Sequence, residues 1–346
     1  MCSEPVLTLD YLSSTELAER PAVWWQSVLG VAAFDAAAPA PPRADVPLIN
    51  VQTPVLGGNT QRYEVWRSAH DAQSGVRGRI QYRRADGLLF GRVSIAESDV
   101  APASANGSTL QRATEAAYRE IFDLIDALSM PHLLRVWNFL PDINGESHGS
   151  ERYWQFNSAR QDGFMASGRD VTGAVPAACG VGCASGTPLA IYFFASTTVP
   201  TVVENPRQMS AYHYPADYSP RSPTFSRACV AEFPGGRMLF ISGTASILGH
   251  ETVHVGDAAA QTTESLRNIE AVLGAANERS GARAPLAMAD LCYKIYVRRA
   301  ADQKLIDREL RSVLGEAPRA LYLRADLCRR DLLVEIEASG CSNARA

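Results

Sequence analysis

The feature that most constrains this chain is an order of elements that occurs twice. RYEVWRS (62–68), GRIQYRR (78–84) and LLFGRVSI (88–95) alternate in polarity between Gly, Asp and Ser, and read as strands. STLQRATEAAYREIFDLIDALS (108–129) follows as a helix, because Leu110, Ala113, Ala117, Ile121, Leu124 and Leu128 recur at steps of three and four. Ser108 or Thr109 can cap it. LLRVWNFLP (133–141) is a strand and ERYWQFNSARQDGFMA (151–166) a second helix. The second half repeats the order: strand RMLFISGTAS (237–246), helix DAAAQTTESLRNIEAVLGAA (257–276), strand LCYKIYVRR (291–299), helix QKLIDRELRSVLG (303–315), and strand LYLRADLCRRDLLVEIEA (321–338). LLF at 88–90 answers MLF at 238–240, and RVWNFLPDIN (135–144) answers KIYVRRAADQ (294–303). Such a chain is expected to fold as α+β, in two units, each with helices packed on one face of a mixed sheet. The expected division is an N-terminal domain over 1–200 and a C-terminal domain over 201–346. AAFDAAAPAPPRADVP (32–47), rich in Ala and Pro, reads as a connector.

The bulk numbers exclude several function classes. A chain of 346 residues with 20% charged residues is long enough for two ordinary domains. The net charge of −4 gives no basic surplus for a nucleic acid. MCSEPVLTLDYLSS has neither a basic n-region nor an apolar run, so no signal peptide is expected. The apolar stretch LAIYFFA (189–195) is too short to span a bilayer. The 7 cysteines are scattered, which suits reduced thiols in a cytoplasmic protein. CGVGC (179–183) has no second ligand pair, and HETVH (250–254), between Gly249 and Gly256, does not suit the helix a zinc motif needs. No metal is expected. No GxGxxG follows a strand and no Walker motif is present, so no nucleotide cofactor is expected either.

Within this frame the run LLVEIE (332–337) stands out. A strand this apolar should be buried, yet it carries two carboxylates. Period two puts Glu335 and Glu337 on one face, with Val334 and Ile336 on the other. Burial raises a carboxyl pKa, so Glu335 can stay protonated near neutrality and act as an acid. Of the two, one is expected to be functional and the other a salt-bridged or edge residue. Tyr153 and Arg160 lie seven apart on the 151–166 helix, about two turns or roughly 10 Å on one face; by themselves they read as a half-buried Tyr and an exposed Arg. The loop YHYPADYSPRSPTFSR (212–227) offers more Tyr and Arg.

FISGTAS (240–246), TTESLRNIEAVLGAA (262–276), CYKIYV (292–297) and CRRDLLVEIEA (328–338) make the second unit resemble the RidA/YjgF fold. Taken with RVWNFLPDIN, ERYWQFNSARQDGF (151–164), GTPLAIYFFAS (186–196) and YHYPADYSPRSPTFSRA (212–228), the chain resembles the chorismatases over most of residues 85–340. The resemblance implies two RidA/YjgF-like units, the first degenerate. It also implies cleavage of chorismate to pyruvate and 3-hydroxybenzoate, without cofactor, for secondary metabolite, pigment or quinone pathways. It makes Glu335 the acid/base. Hydroxybenzoate-forming members carry a Cys at Cys328 and a Gly at Gly243, and some also form 4-hydroxybenzoate. The resemblance assigns Tyr153, Arg160, Tyr212 and Arg221 to substrate binding, and places a carboxylate-binding Arg between Arg319 and Arg324. RidA proteins are trimers, so a monomer or a homotrimer fits. The rival readings are a chorismatase that stops at a dihydroxycyclohexadiene carboxylate, a RidA-type enamine/imine deaminase, and a non-catalytic ligand-binding protein.

Overall fold

The computed structural model describes residues 6–35, 43–58, 60–102, 107–279 and 285–343. The chain first forms β1 (Leu7–Ser13), the short helix α1 (Ser14–Ala18), β2 (Val28–Phe34), β3 (Leu48–Val51) and β4 (Gln61–Ser68). These make a four-stranded sheet in the order β1-β4-β2-β3, with β2 and β3 parallel. Next come β5 (Gln73–Arg77), β6 (Ile80–Ala85), β7 (Leu88–Ile95), α2 (Thr109–Ala127), β8 (His132–Pro141), a ribbon of β9 (Glu146–Ser147) and β10 (Ser150–Glu151), α3 (Arg152–Ala166), β11 (Ala177–Cys183) and β12 (Leu189–Ser196). The last third holds β13 (Thr201–Val203), β14 (Ala228–Phe233), β15 (Gly236–Ala245), a ribbon of β16 (Ile247–Leu248) and β17 (Glu251–Thr252), α4 (Ala258–Arg279), β18 (Cys292–Val297), α5 (Gln303–Leu314), β19 (Arg319–Arg324) and β20 (Val334–Asn343).

The second and third sheets have one topology. Their orders are β5-β6-β7-β12-β8-β11 and β13-β14-β15-β20-β18-β19, each six-stranded. Each has a single parallel pair, β8 with β11 and β18 with β19, at the same edge. The α+β class, with two units of mixed sheet and helices on one face, is what the chain adopts. The small first sheet repeats the four strands at the parallel edge of that pattern.

Helices cover the outer faces. Ser108 caps α2 in a capping box with Gln111, and Leu110, Ala113, Ala117, Ile121 and Leu124 are buried against the second sheet. Leu266, Ile269 and Leu273 of α4 and Ile306 and Leu310 of α5 do the same on the third. The inner faces of all three sheets meet in one core. There the Trp66 ring lies 5.8 Å from Trp137, 5.1 Å from Phe194 and 6.0 Å from Phe240, so one indole joins the sheets. Aromatic pairs of this kind add about 0.5–1.5 kcal/mol each beyond area burial.

Two readings of the sequence need correction. Residues 321–338 are not one strand: β19 ends at Arg324 and β20 begins at Val334. Between them the Arg298 side chain donates to the carbonyls of Leu327, Arg329 and Leu332, satisfying backbone that would otherwise need a ladder partner. The 32–47 connector also begins later than expected, because Ala32–Phe34 close the buried strand β2. Its residues 36–42 lie outside the described residues.

Candidate active site

β20 sits between β15 and β18, so both its edges are paired. Val334 and Ile336 turn to the helix layer. Glu335 and Glu337, 4% and 5% exposed, turn to the central core. Their surroundings differ. Glu337 Oε1 lies 2.9 Å from Lys294 Nζ and accepts from Trp137 Nε1 at 2.7 Å. Its Oε2 accepts from the Arg135 guanidinium at 2.6 Å and from the Tyr296 hydroxyl at 3.2 Å. Burial alone would push this carboxyl up, but Lys294 and Arg135 hold it below its ordinary value. Glu335 has no such set. Burial, then the charge of Glu337, push its pKa up to about 8, against the weaker pull of Arg135, Arg227 and Arg298. It therefore carries a proton at neutral pH.

Gly243 on β15 is what lets Glu335 stand there. A Cβ at that position would lie 2.0 Å from Glu335 Oε1 and 3.2 Å from Cys179 Cβ. Cys328 Sγ, in the connection before β20, stands 4.0 Å from Glu335 Oε2. Burial and the neighbouring Glu335 push this thiol up to about 12, so it is a neutral donor and not a thiolate.

These groups open on a cavity of about 50 Å³, also lined by Tyr153 from α3, by Tyr214, Tyr218 and Phe225, and by two arginines. Arg227 donates to Met209 O at 2.6 Å and to the Tyr214 hydroxyl at 2.7 Å. Arg329 donates to His250 O at 2.8 Å and lies 4.0 Å over the Tyr218 ring. Its buried Nη2 and the Nε of Arg227 have no hydrogen-bond partner. Among the described residues neither guanidinium has a carboxylate within ion-pair distance. A buried guanidinium, Arg227, and a half-buried one, Arg329, thus stand beside a protonated carboxyl without an ion pair of their own, an arrangement that can receive an anionic ligand and give it a proton.

Glu335, Cys328, Gly243 and Tyr153 thus share one cavity. Arg160 is buried behind Tyr153, with its guanidinium 5.0 Å over Phe156, and does not line it. Tyr212 packs against His213, and Arg221 is tied to Asp162 and to Ser158 O on α3, both away from the cavity. Arg319 donates to Asp290 O, and Arg324 pairs with Asp326 at 3.3 Å. Reasoning from sequence did not single out Arg227 and Arg329. Arg227 had a signal in its place just before the apolar ACV of β14. HETVH is not helical: Glu251–Thr252 is a strand, and His254 has φ +59°. A larger cavity of about 480 Å³ lies between β3, β7 and β12. Its lining includes Arg43 and Arg92 but no carboxylate, so it offers no acid.

The paired six-stranded topology, with a buried carboxyl in a central strand, defines an α+β protein built of two like units. A model of the chorismatase FkbO/Hyg5-like N-terminal domain matches residues 64–195. A chorismatase of Streptomyces rapamycinicus is 40% identical over 281 residues, 79% of this chain and 80% of that protein. A 3-hydroxybenzoate synthase of Streptomyces hygroscopicus is 37% identical over 285 residues, 79% of this chain and 80% of its own. A chorismatase crystal structure superimposes with a TM-score of 0.84 at 32% identity, over 97% of this chain and 98% of that one. The chain belongs to the chorismatase family.

Proposed function

We propose that the protein cleaves chorismate to pyruvate and 3-hydroxybenzoate. The observation that carries this reading is the protonated Glu335 enclosed with two arginines that make no ion pair among the described residues. Chorismate has two carboxylates, which Arg227 and Arg329 can receive. Its enolpyruvyl methylene carbon takes the proton from Glu335, and the ether bond to the ring then breaks to leave pyruvate, while the neighbouring ring hydroxyl oxygen shifts to the vacated carbon and a ring proton returns to the Glu335 carboxylate. Chorismate equals hydroxybenzoate plus pyruvate with no water added and no change of oxidation state. The diol product requires one water more. Product choice is therefore a choice about water and the ring hydroxyl. It falls to the two groups that touch the Glu335 carboxyl, Gly243 behind it and the Cys328 thiol beside it.

The 50 Å³ cavity has room for only a few waters, so the wall formed by Tyr214 and Tyr218 must move to admit substrate. That wall is held by ring contacts with Arg329, 5.2 and 4.0 Å from the two rings, which a substrate carboxylate can replace. Closure of three sheets on one core within the chain supports a monomer. The described cysteines are all unpaired, which supports a cytoplasmic protein. Among the described residues no helix is long and apolar enough to cross a membrane. The division near residue 200 belongs to the same reading, since the third sheet starts at Thr201.

The test is to incubate the purified protein with chorismate, without added metal or nucleotide. Pyruvate is followed by a coupled assay and the ring product by chromatography. Pyruvate with 3-hydroxybenzoate is expected. A non-aromatic diol would overturn the product assignment, and absence of pyruvate would overturn the reaction.

A further inference from the structure

Behind the acid lies a cluster of four buried charges that draws on all three sheets. Glu64 of β4, Arg135 of β8 and Lys294 of β18 are each 1% exposed, and Glu337 of β20 is 5% exposed. Lys294 bridges the two carboxylates: its ammonium pairs with Glu64 Oε2 and lies 2.9 Å from Glu337 Oε1. Glu64 Oε1 accepts from Trp66 Nε1 at 2.8 Å and from the Tyr192 hydroxyl at 3.0 Å. Two cations balance two anions, and no water-exposed surface screens them. Glu335 stands two residues from Glu337 on the same strand face.

We propose that Glu64, on the first sheet and outside the cavity, is a positioning residue for the reaction. By neutralising Lys294 it sets the net charge that Glu335 feels. Removing its charge leaves the cluster with one positive charge in excess, beside a carboxyl that must keep its proton. A unit charge at about 10 Å, with an effective dielectric of about 20, moves a pKa by roughly one unit. The groups that face Glu335 are Glu337 on its own strand, Cys328 before it and Arg298 after β18. Arg227 faces it from just before β14, Arg135 from β8, Tyr153 from α3, Cys179 from β11, and Tyr214, Tyr218 and Arg329 from the rest of the cavity wall. All of these are unchanged when Glu64 becomes Gln.

The sign is fixed. Glu335 donates only while protonated, so activity is lost as pH rises through its pKa. In Glu64→Gln this loss moves to lower pH. In Lys294→Met, which leaves one negative charge in excess, it moves to higher pH. In the double variant neutrality returns and so does the wild-type position.

The inference rests on Glu335 as the acid of the proposed reaction, and the experiment has two readouts. One is the pH dependence of kcat/KM for pyruvate release. The other is the carbon-13 NMR titration of the Glu335 carboxyl in protein labelled at glutamate, which needs no turnover. The expected result is a midpoint about one pH unit lower in Glu64→Gln, with the wild-type midpoint restored in the double variant. A uniform loss of activity with an unmoved NMR midpoint would overturn the proposal and leave Glu64 a packing residue. If Glu64→Gln does not fold, Lys294→Met and the double variant still decide the sign. A wild-type protein that titrates as expected but releases no pyruvate would sink the reaction and not this coupling.

Discussion

The second and third sheets share strand order, direction and helix placement, yet only one holds an acid at the centre. Across from Arg135 and Trp137 on β8, strand β12 presents Phe194 and Tyr192. Across from Lys294 and Tyr296 on β18, strand β20 presents Glu337 and Glu335. The cation and the aromatic residue recur in both units, and the partner strand differs. In β12 the two positions join the aromatic core, where Phe194 and Tyr192 lie 6.1 and 4.5 Å from Trp137. In β20 they are carboxylates, and the second sheet gives up Arg135 and Trp137 to satisfy one of them. The scaffold thus supplies a buried, rigid strand in both places. The chemistry comes from two residues on one strand and from donors lent by the neighbouring unit.

The comparison breaks most sharply at Glu335. Glu335→Gln keeps the shape and removes the transferable proton. Steady-state assays should show a loss in turnover of about 100-fold or more. In the unaltered protein turnover should fall as pH rises through about 8, the value set by burial and by Glu337. Turnover that stays level from pH 6 to 10 would contradict the acid role.

Next in size is Arg329→Met. It removes a half-buried guanidinium that makes no ion pair among the described residues, and kcat/KM for chorismate should drop by roughly 10- to 100-fold, mostly through KM. An unchanged KM would move carboxylate binding to another residue. Gly243→Ala sharpens the comparison in a different way. The new Cβ overlaps Glu335 Oε1, so the carboxyl must rotate. A rate loss of about 10-fold is expected, less than the roughly 100-fold or more that loss of the acid itself costs, because the carboxyl is displaced and not removed. Chromatography should also show a shift toward the diol. The smallest effect is expected at the position matching Glu335 in the second sheet. Tyr192→Phe deletes a hydroxyl bonded to Glu64 and Lys294 and should cost about 1 kcal/mol in denaturant unfolding, with the product unchanged.

Much of this was legible in the sequence where a signal is local. The α2 face follows from Leu110 to Leu124, and the doubled order of strands and helices follows from periodicity. Glu335 and Glu337 share a face because strands have period two. What escaped depends on distant partners. The break between β19 and β20 is made by Arg298, about 30 residues upstream in the chain, and nothing in RADLCRRD states that. Strand β2 is buried on both faces, so VLGVAAF shows no alternation to read. The arginines of the cavity could be sorted only by finding where the acids went. Arg221 is taken by Asp162, Arg324 by Asp326 and Arg330 by Glu146, whereas Arg227 and Arg329 make no ion pair among the described residues.

Three sheets written into one polypeptide have a further consequence. In a ring of identical subunits every residue near the axis appears three times. A glutamate placed at Glu337 would then bring three like charges together in a dry interior, at a prohibitive electrostatic cost. A single chain escapes that multiplication. It can set a carboxylate in one repeat, a cation in another and a tryptophan in the third, and reach neutrality with four charges that no symmetric ring could arrange.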